Sequence, residues 1–141
     1  GAFVPGFASA AAQLMRPQLV RRLMLATLAH HRAKRSMLDS WFDPLLRLPL
    51  VRRDLTKVLR GISNHWTIEA ARHFRHFEKP VLIAWGEDDL FFPMKYAKRL
   101  CRDFPAARLE RVAKSRTFIS LDQPQTLARM IIRFARGQAA A

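Results

Sequence analysis

Five apolar residues, Val81 to Trp85, sit between Pro80 and Gly86 and run straight into the acids Glu87, Asp88 and Asp89. A short uninterrupted apolar run bounded by turn residues predicts a strand buried on both faces, which is the pattern of a parallel sheet. The acids then fall just beyond the carboxyl end of that strand. In open parallel sheets, reactive groups collect there, because loops converge and helix N-termini add a local field.

The residues that follow complete the pattern. Pro93 suits the first turn of a helix, and Tyr96, Ala97, Leu100, Cys101 and Phe104 share one helical face. The Phe104-Pro105 turn leads to a second strand over 108–113, then to a loop over 114–121. Asp122 is placed to cap a last helix. Pro124 falls in its first turn, Leu127, Met130, Ile131 and Phe134 repeat at helical spacing, and Gly137 stops it. Strand, helix, strand, helix predicts two adjacent parallel strands joined by a right-handed crossover, and therefore an α/β class.

The first half reads as helix broken by prolines. Pro17 opens a helix with Val20, Leu23, Met24 and Leu28, which runs into the basic stretch His30 to Arg35. Ser36 is the expected cap of a short helix holding Met37, Trp41 and Phe42. Asp43-Pro44 is expected to start a further turn that Pro49 ends. Val51, Leu55, Val58, Leu59 and Ile62 recur at helical spacing with Gly61 at the end, and Thr67 is expected to begin the last helix of this part, containing Ile68, Ala71 and Phe74.

Half of the 141 residues are apolar, enough for one core of common domain size. The single cysteine, Cys101, excludes an internal disulfide and points to a reducing compartment, the cytoplasm, with the thiol packed on a helix face. The opening GAFVPGFASAAAQLM lacks a basic start and an initiator methionine and reads as a cut end, not a signal peptide. No apolar run approaches the ~20 residues of a membrane span. The net charge of +14 divides into +9 over residues 1–79 and +5 over residues 80–141. Its arginine pairs, such as Arg21-Arg22 and Arg52-Arg53, are dispersed over amphipathic helices. That predicts nonspecific association with nucleic acid, not base recognition by interleaved aromatics.

The run PVLIAWGEDDLFFPMKYAKRL, then PAARLERV, then SRTFISLDQPQTLARMIIRF, resembles the last third of an α/β-hydrolase of the kind related to epoxide hydrolases, haloalkane dehalogenases and esterases. The resemblance covers roughly residues 79–136. It implies a partial α/β-hydrolase fold, with a helical cap-like region over 1–78, a core portion over 79–137 and a tail over 138–141. It also implies hydrolysis of an ester, epoxide or similar small hydrophobic substrate, and no cofactor.

In that family the acid of the triad stands at the fourth position of GxxD, which here is Asp89 in Gly86-Glu87-Asp88-Asp89. Its role would be to orient an imidazolium. The base should be a His shortly before the DQP turn, where this sequence has Thr117 in Arg116-Thr117-Phe118. A threonine hydroxyl cannot serve as a base near neutral pH. The nucleophile elbow G-x-[SD]-x-G does not occur, since the five glycines stand at 1, 6, 61, 86 and 137. The implied protein is an incomplete or degenerate hydrolase, inactive alone.

Asp89 and Thr117 are therefore the candidate catalytic positions, with Trp41, Phe91 and Phe92 as candidates to line a substrate pocket. Trp41, Phe42 and Trp66 equally suit a cap core. His65 is an alternative base. His73 and His76 lie one turn apart, but no carboxylate or thiol completes a metal set, and the cluster at Glu87 to Asp89 has no second acidic group to match it, so no metal is expected. Two strands alone leave an edge and two apolar faces open, so a partner is expected: the remaining hydrolase half or a second copy. Two readings stay beside the incomplete enzyme. One is a noncatalytic binder of small hydrophobic ligands, and the other a basic helical module for nucleic acid or an acidic protein.

Overall fold

The computed structural model describes residues 7–31 and 33–137; the expected tail at 138–141 and the first six residues lie outside them. The helices are α1 (Phe7–Leu14), α2 (Gln18–Leu28), α3 (Arg35–Arg47), α4 (Pro49–Gly61), α5 (Asn64–Arg72), α6 (Met94–Asp103), α7 (Ile119–Asp122) and α8 (Pro124–Ala135). A 3-10 turn, Phe74–His76, precedes the strand β1 (Val81–Gly86), and β2 (Ala107–Val112) follows α6. The chain forms two compact units: one is Gly1–Ala26 with Arg32–His65, the other Thr27–His31 with Trp66–Ala141.

In the first unit, α1, α3 and α4 pack on one another. Its buried residues include Ala12, Leu25, Leu38 and, unexpectedly, Arg21. The apolar spacing put Leu23 and Met24 on the inner face of α2, yet both are exposed. Arg21 turns inward because a partner waits there. Its guanidinium donates to Asp39 Oδ1 and to the Arg16 carbonyl, each at 2.9 Å, and Gln18 Nε2 reaches the same Asp39 oxygen at 3.2 Å. A buried charge that is paired and hydrogen-bonded is tolerated where a bare one is not.

The prolines divide this unit differently from the expectation. Residues 35–47 form one helix that passes through Pro44, and Ser36 does not cap it: Lys34 is the N-cap residue and supplies no side-chain bond. Leu38, nearly fully buried, anchors the helix before the proline. The Asp43–Arg47 pair at 3.0 Å and the Leu48 N–H to the Pro44 carbonyl at 2.9 Å carry the helical turn past it. Pro49 opens α4 instead of closing the turn before it, at the position where its missing N–H is not needed. Further on, α5 starts at Asn64, three residues ahead of Thr67, and Phe74 belongs to the 3-10 turn beyond it.

The second unit holds the predicted α/β element. β1 and β2 are parallel, in register from Val81 opposite Ala107 to Gly86 opposite Val112. α6 connects them and packs on both strands. Ile83, Ala97, Val112 and Met130 are its buried apolar residues, with Ala29 from the segment Thr27–His31. Of β1 only Ile83 and Gly86 are fully buried, not the whole run, because a sheet of two strands cannot cover both faces. Cys101 is half-buried, with Sγ against the Ala107 carbonyl at 3.6 Å.

On the last helix, Met130 is buried but Ile131 is exposed, although the spacing grouped them. Arg133 reaches Glu110 of β2 at 2.7 Å. Gly137 ends this helix with φ at +68°, a left-handed value that glycine adopts at no steric cost. The expected loop over 114–121 contains the start of α7. Asp122 lies inside α7 and does not cap α8, whose N-cap residue is Gln123.

Candidate active site

The carboxyl end of β1 is held by main-chain bonds to the segment after β2. Glu87 N–H donates to the Val112 carbonyl and Asp88 N–H to the Ser115 carbonyl, both at 3.0 Å. Gly86 makes this approach possible, since a Cβ there would overlap the carbonyl oxygens of Ser115 and Arg116. The acidic turn is thereby pinned beside residues 115–117.

Asp89 is the centre of that turn. Its Oδ1 accepts hydrogen bonds from Phe91 N–H, Phe92 N–H and the Thr117 hydroxyl, each at 2.9 Å. Trp85 Nε1 donates to the Phe92 carbonyl at 2.8 Å and closes the loop over the strand end. Three donors on one oxygen fix the carboxylate's orientation. Such a group can hold a donor in place, but the donor here is a hydroxyl that has no basicity to take a proton.

The segment Thr27–His31 completes this end of the unit. Phe118 N–H donates to the Leu28 carbonyl at 2.9 Å, and His31 N–H to Asp122 Oδ1 at 2.7 Å. Arg116 N–H takes the other oxygen, Oδ2, at 2.9 Å. His30 Nε2 lies 2.9 Å from Asp88 Oδ2. The site therefore does hold an imidazole, but against the acid before Asp89 and not at position 117. When the imidazole is neutral, a proton on Nε2 facing the carboxylate leaves Nδ1 with the lone pair.

Burial works against ionisation of Asp122, yet the amides of Arg116, His31 and His30, with the charge of His30, outweigh it and hold its pKa below the ordinary carboxylate value. A folded-state pKa below the unfolded one gives stability that is fully present above the unfolded value, near 3.8, and is lost as pH falls through the folded one. Asp122→Asn is therefore expected to destabilise the protein at neutral pH. It should also flatten the loss of stability on acidification below about pH 4, as measured by urea unfolding across pH. An unchanged acid slope would remove Asp122 from this role.

Among the sequence candidates, Asp89 and Thr117 are thus in direct contact. Phe91 and Phe92 meet Asp89 through their main chain, and the two residues are 55% and 51% exposed. Trp41 belongs to the other unit, on α3, and is 47% exposed. His65 also belongs to that unit. His73 lies 3.9 Å from Glu69, His76 accepts from Arg75 Nε at 3.0 Å, and Glu87 pairs with Arg111 at 3.0 Å. Among the described residues no three potential ligands gather around a metal position, and no helix is long and apolar enough to cross a membrane. His30 is the residue that sequence reasoning missed. Its only signal was a histidine pair at the end of a helix, read there as part of a basic stretch.

No curated protein matches the sequence. Among solved structures, a presumed lipase from Acinetobacter baumannii AYE aligns at a TM-score of 0.70 with 14% identity, over 97% of this chain and 48% of its own. A 2-hydroxy-6-oxo-6-phenylhexa-2,4-dienoate hydrolase from Rhodococcus sp. strain RHA1 aligns at 0.69 with 17% identity, over 96% and 50%. An esterase from Exiguobacterium antarcticum aligns at 0.56 with 14% identity, over 92% and 47%. At these identities the likeness is one of fold, and the chain spans about half the length of each structure. Residues 2–124 match the family profile of the alpha/beta hydrolase fold. With most of its length so matched, the chain belongs to the alpha/beta hydrolase fold family.

Proposed function

We propose that this chain supplies the acid-bearing portion and the cap of a hydrolase for a small hydrophobic ester or related substrate, and that it performs no triad hydrolysis alone. Residues 1–78 act as the cap and residues 79–137 as the core portion. The observation that carries this reading is the 2.9 Å bond from the Thr117 hydroxyl to Asp89, where the family's acid would meet its histidine. Asp89 keeps the orienting role, Thr117 satisfies it without proton transfer, and no residue in the sequence stands on a nucleophile elbow.

Phe91 and Phe92, exposed beside the acidic turn, line the substrate's path in this reading. The remaining half of the hydrolase is the natural partner. An open two-stranded sheet and exposed Leu90, Ile131 and Ile132 in this unit support it, as does a length about half that of the matched structures. No metal or cofactor enters the scheme, and nucleic acid associates only through net charge.

With p-nitrophenyl butyrate the chain alone is expected to release p-nitrophenol at the buffer rate, and turnover near ~1 s⁻¹ or above would overturn the proposal. Joined to a segment carrying G-x-S-x-G, Thr117→His is expected to exceed the threonine form by a factor on the order of 10² or more, the usual worth of a positioned base. Equal rates would show that another base, with His30 the nearest candidate to the acids, replaces the missing one. Saturable binding of the ester by the joined protein without turnover in either form would favour the noncatalytic ligand-binding reading, which the exposed Phe91 and Phe92 side chains support.

A further inference from the structure

The second unit also carries a cleft of about 430 Å³ lined by Ala71, Arg72, Arg75, Arg102 and Asp103. One wall is the end of α5 with the 3-10 turn, and the other is the last turn of α6. Phe74, between the two arginines of the first wall, stacks on Phe104, next to Asp103, with ring centroids 4.1 Å apart. Phe77 meets the same ring edge-on at 5.9 Å. The aromatic contacts tie the walls together, so the opening is set before any ligand arrives.

The charges of the cleft are unevenly matched. Glu69 holds Arg72 at 2.7 Å, and Arg99 lies 3.5 Å from Asp103 and offsets that carboxylate. Arg75 is steadied by its bond to His76, a neutral acceptor when it takes that proton. Among the described residues, neither Arg75 nor Arg102 is paired with a carboxylate. Three arginines against one carboxylate in the lining of a single cleft give it a positive potential, which a bound anion relieves.

We propose that this cleft binds a small phosphate-bearing molecule, a site separate from the acidic turn. A phosphate monoester carries nearly two negative charges and three strong acceptor oxygens, which suit the planar donor forks of Arg75 and Arg102 better than a single carboxylate does. The volume exceeds that of a bare phosphate and falls in the range of small-molecule sites, leaving room for an organic group.

The test is an amide NMR titration of the whole chain with phenyl phosphate, inorganic phosphate and acetate at about 0.15 M salt, where long-range attraction is screened. Phenyl phosphate is expected to saturate below about 10 mM and to shift the amides of Arg72, Arg75 and Arg102, with acetate far weaker. The variant R75A/R102A is expected to weaken binding by about tenfold or more, while R52A/R53A, with the same loss of charge on the other unit, changes it by less than about twofold. Equal weakening by both variants would reveal general polyanion attraction and overturn the site, as would failure to saturate. R75K/R102K keeps the charge and most of the bulk, so it guards against misfolding. Binding as tight as that of the unsubstituted chain would overturn recognition through the guanidinium forks.

Discussion

Gly86→Ala is expected to cost the C-terminal unit on the order of 3 kcal/mol, seen as a fall in its melting temperature of about 15 °C. The new Cβ would lie 2.5 Å from the Ser115 carbonyl oxygen and 2.9 Å from its carbon. Both are backbone atoms and cannot rotate aside as a side chain would, so the segment after β2 must move away from β1. That movement breaks the Asp88 N–H bond to Ser115 and draws Thr117 off Asp89, so the amides of Asp88, Phe91 and Phe92 should shift with the loss of stability. Gly61→Ala is the matched control. Nothing lies within 4 Å of its added Cβ, and at the end of α4 alanine should be neutral or slightly stabilising. If the two variants melt within a degree of each other, close packing at the strand end is not what requires glycine at position 86.

Asp39→Ala is expected to cost the N-terminal unit about 3 kcal/mol in urea unfolding, the low end of the range for orphaning a buried charge. The Arg21 side chain is only 7% exposed and would keep its bond to the Arg16 carbonyl while losing its counter-ion. The partial exposure of Asp39, 33%, lets water offset part of the loss, which is why the low end applies. Arg21→Met in the Asp39→Ala background should recover part of the lost stability, because the double variant leaves no buried charge behind. A double variant no more stable than Asp39→Ala alone would mean that packing of the arginine stem, including its approach to the Phe42 ring at 6.0 Å, matters more than its charge.

The β1–α6–β2–α8 portion was legible in the sequence because its signals are local. Pro80 and Gly86 bracket one apolar run, Pro93 and Pro124 stand at helix starts, and Gly137 supplies a left-handed stop. The contact between Asp89 and Thr117 followed from resemblance to a known arrangement and not from spacing. What could not be read depends on residues far apart in the chain. His30 meets Asp88 across 58 positions, and Arg21 is drawn inward by Asp39 across 18. Apolar periodicity has no means of ranking an arginine above Leu23 for the core when the counter-ion sits on another helix. Pro44 misled in the opposite way: a local breaking signal was overridden by burial of Leu38 and by the ion pair that follows the ring.

The short strip Thr27–His31 belongs to a unit whose other residues start at Trp66. Its Leu28 carbonyl and His31 amide serve Phe118 and Asp122, the latter 91 positions downstream. A gene divided at position 66 would thus yield a carboxyl-terminal product missing these groups, and a leading product bearing them with nothing to hold. During synthesis the strip leaves the ribosome long before Phe118 and Asp122, the residues it bonds, have been made.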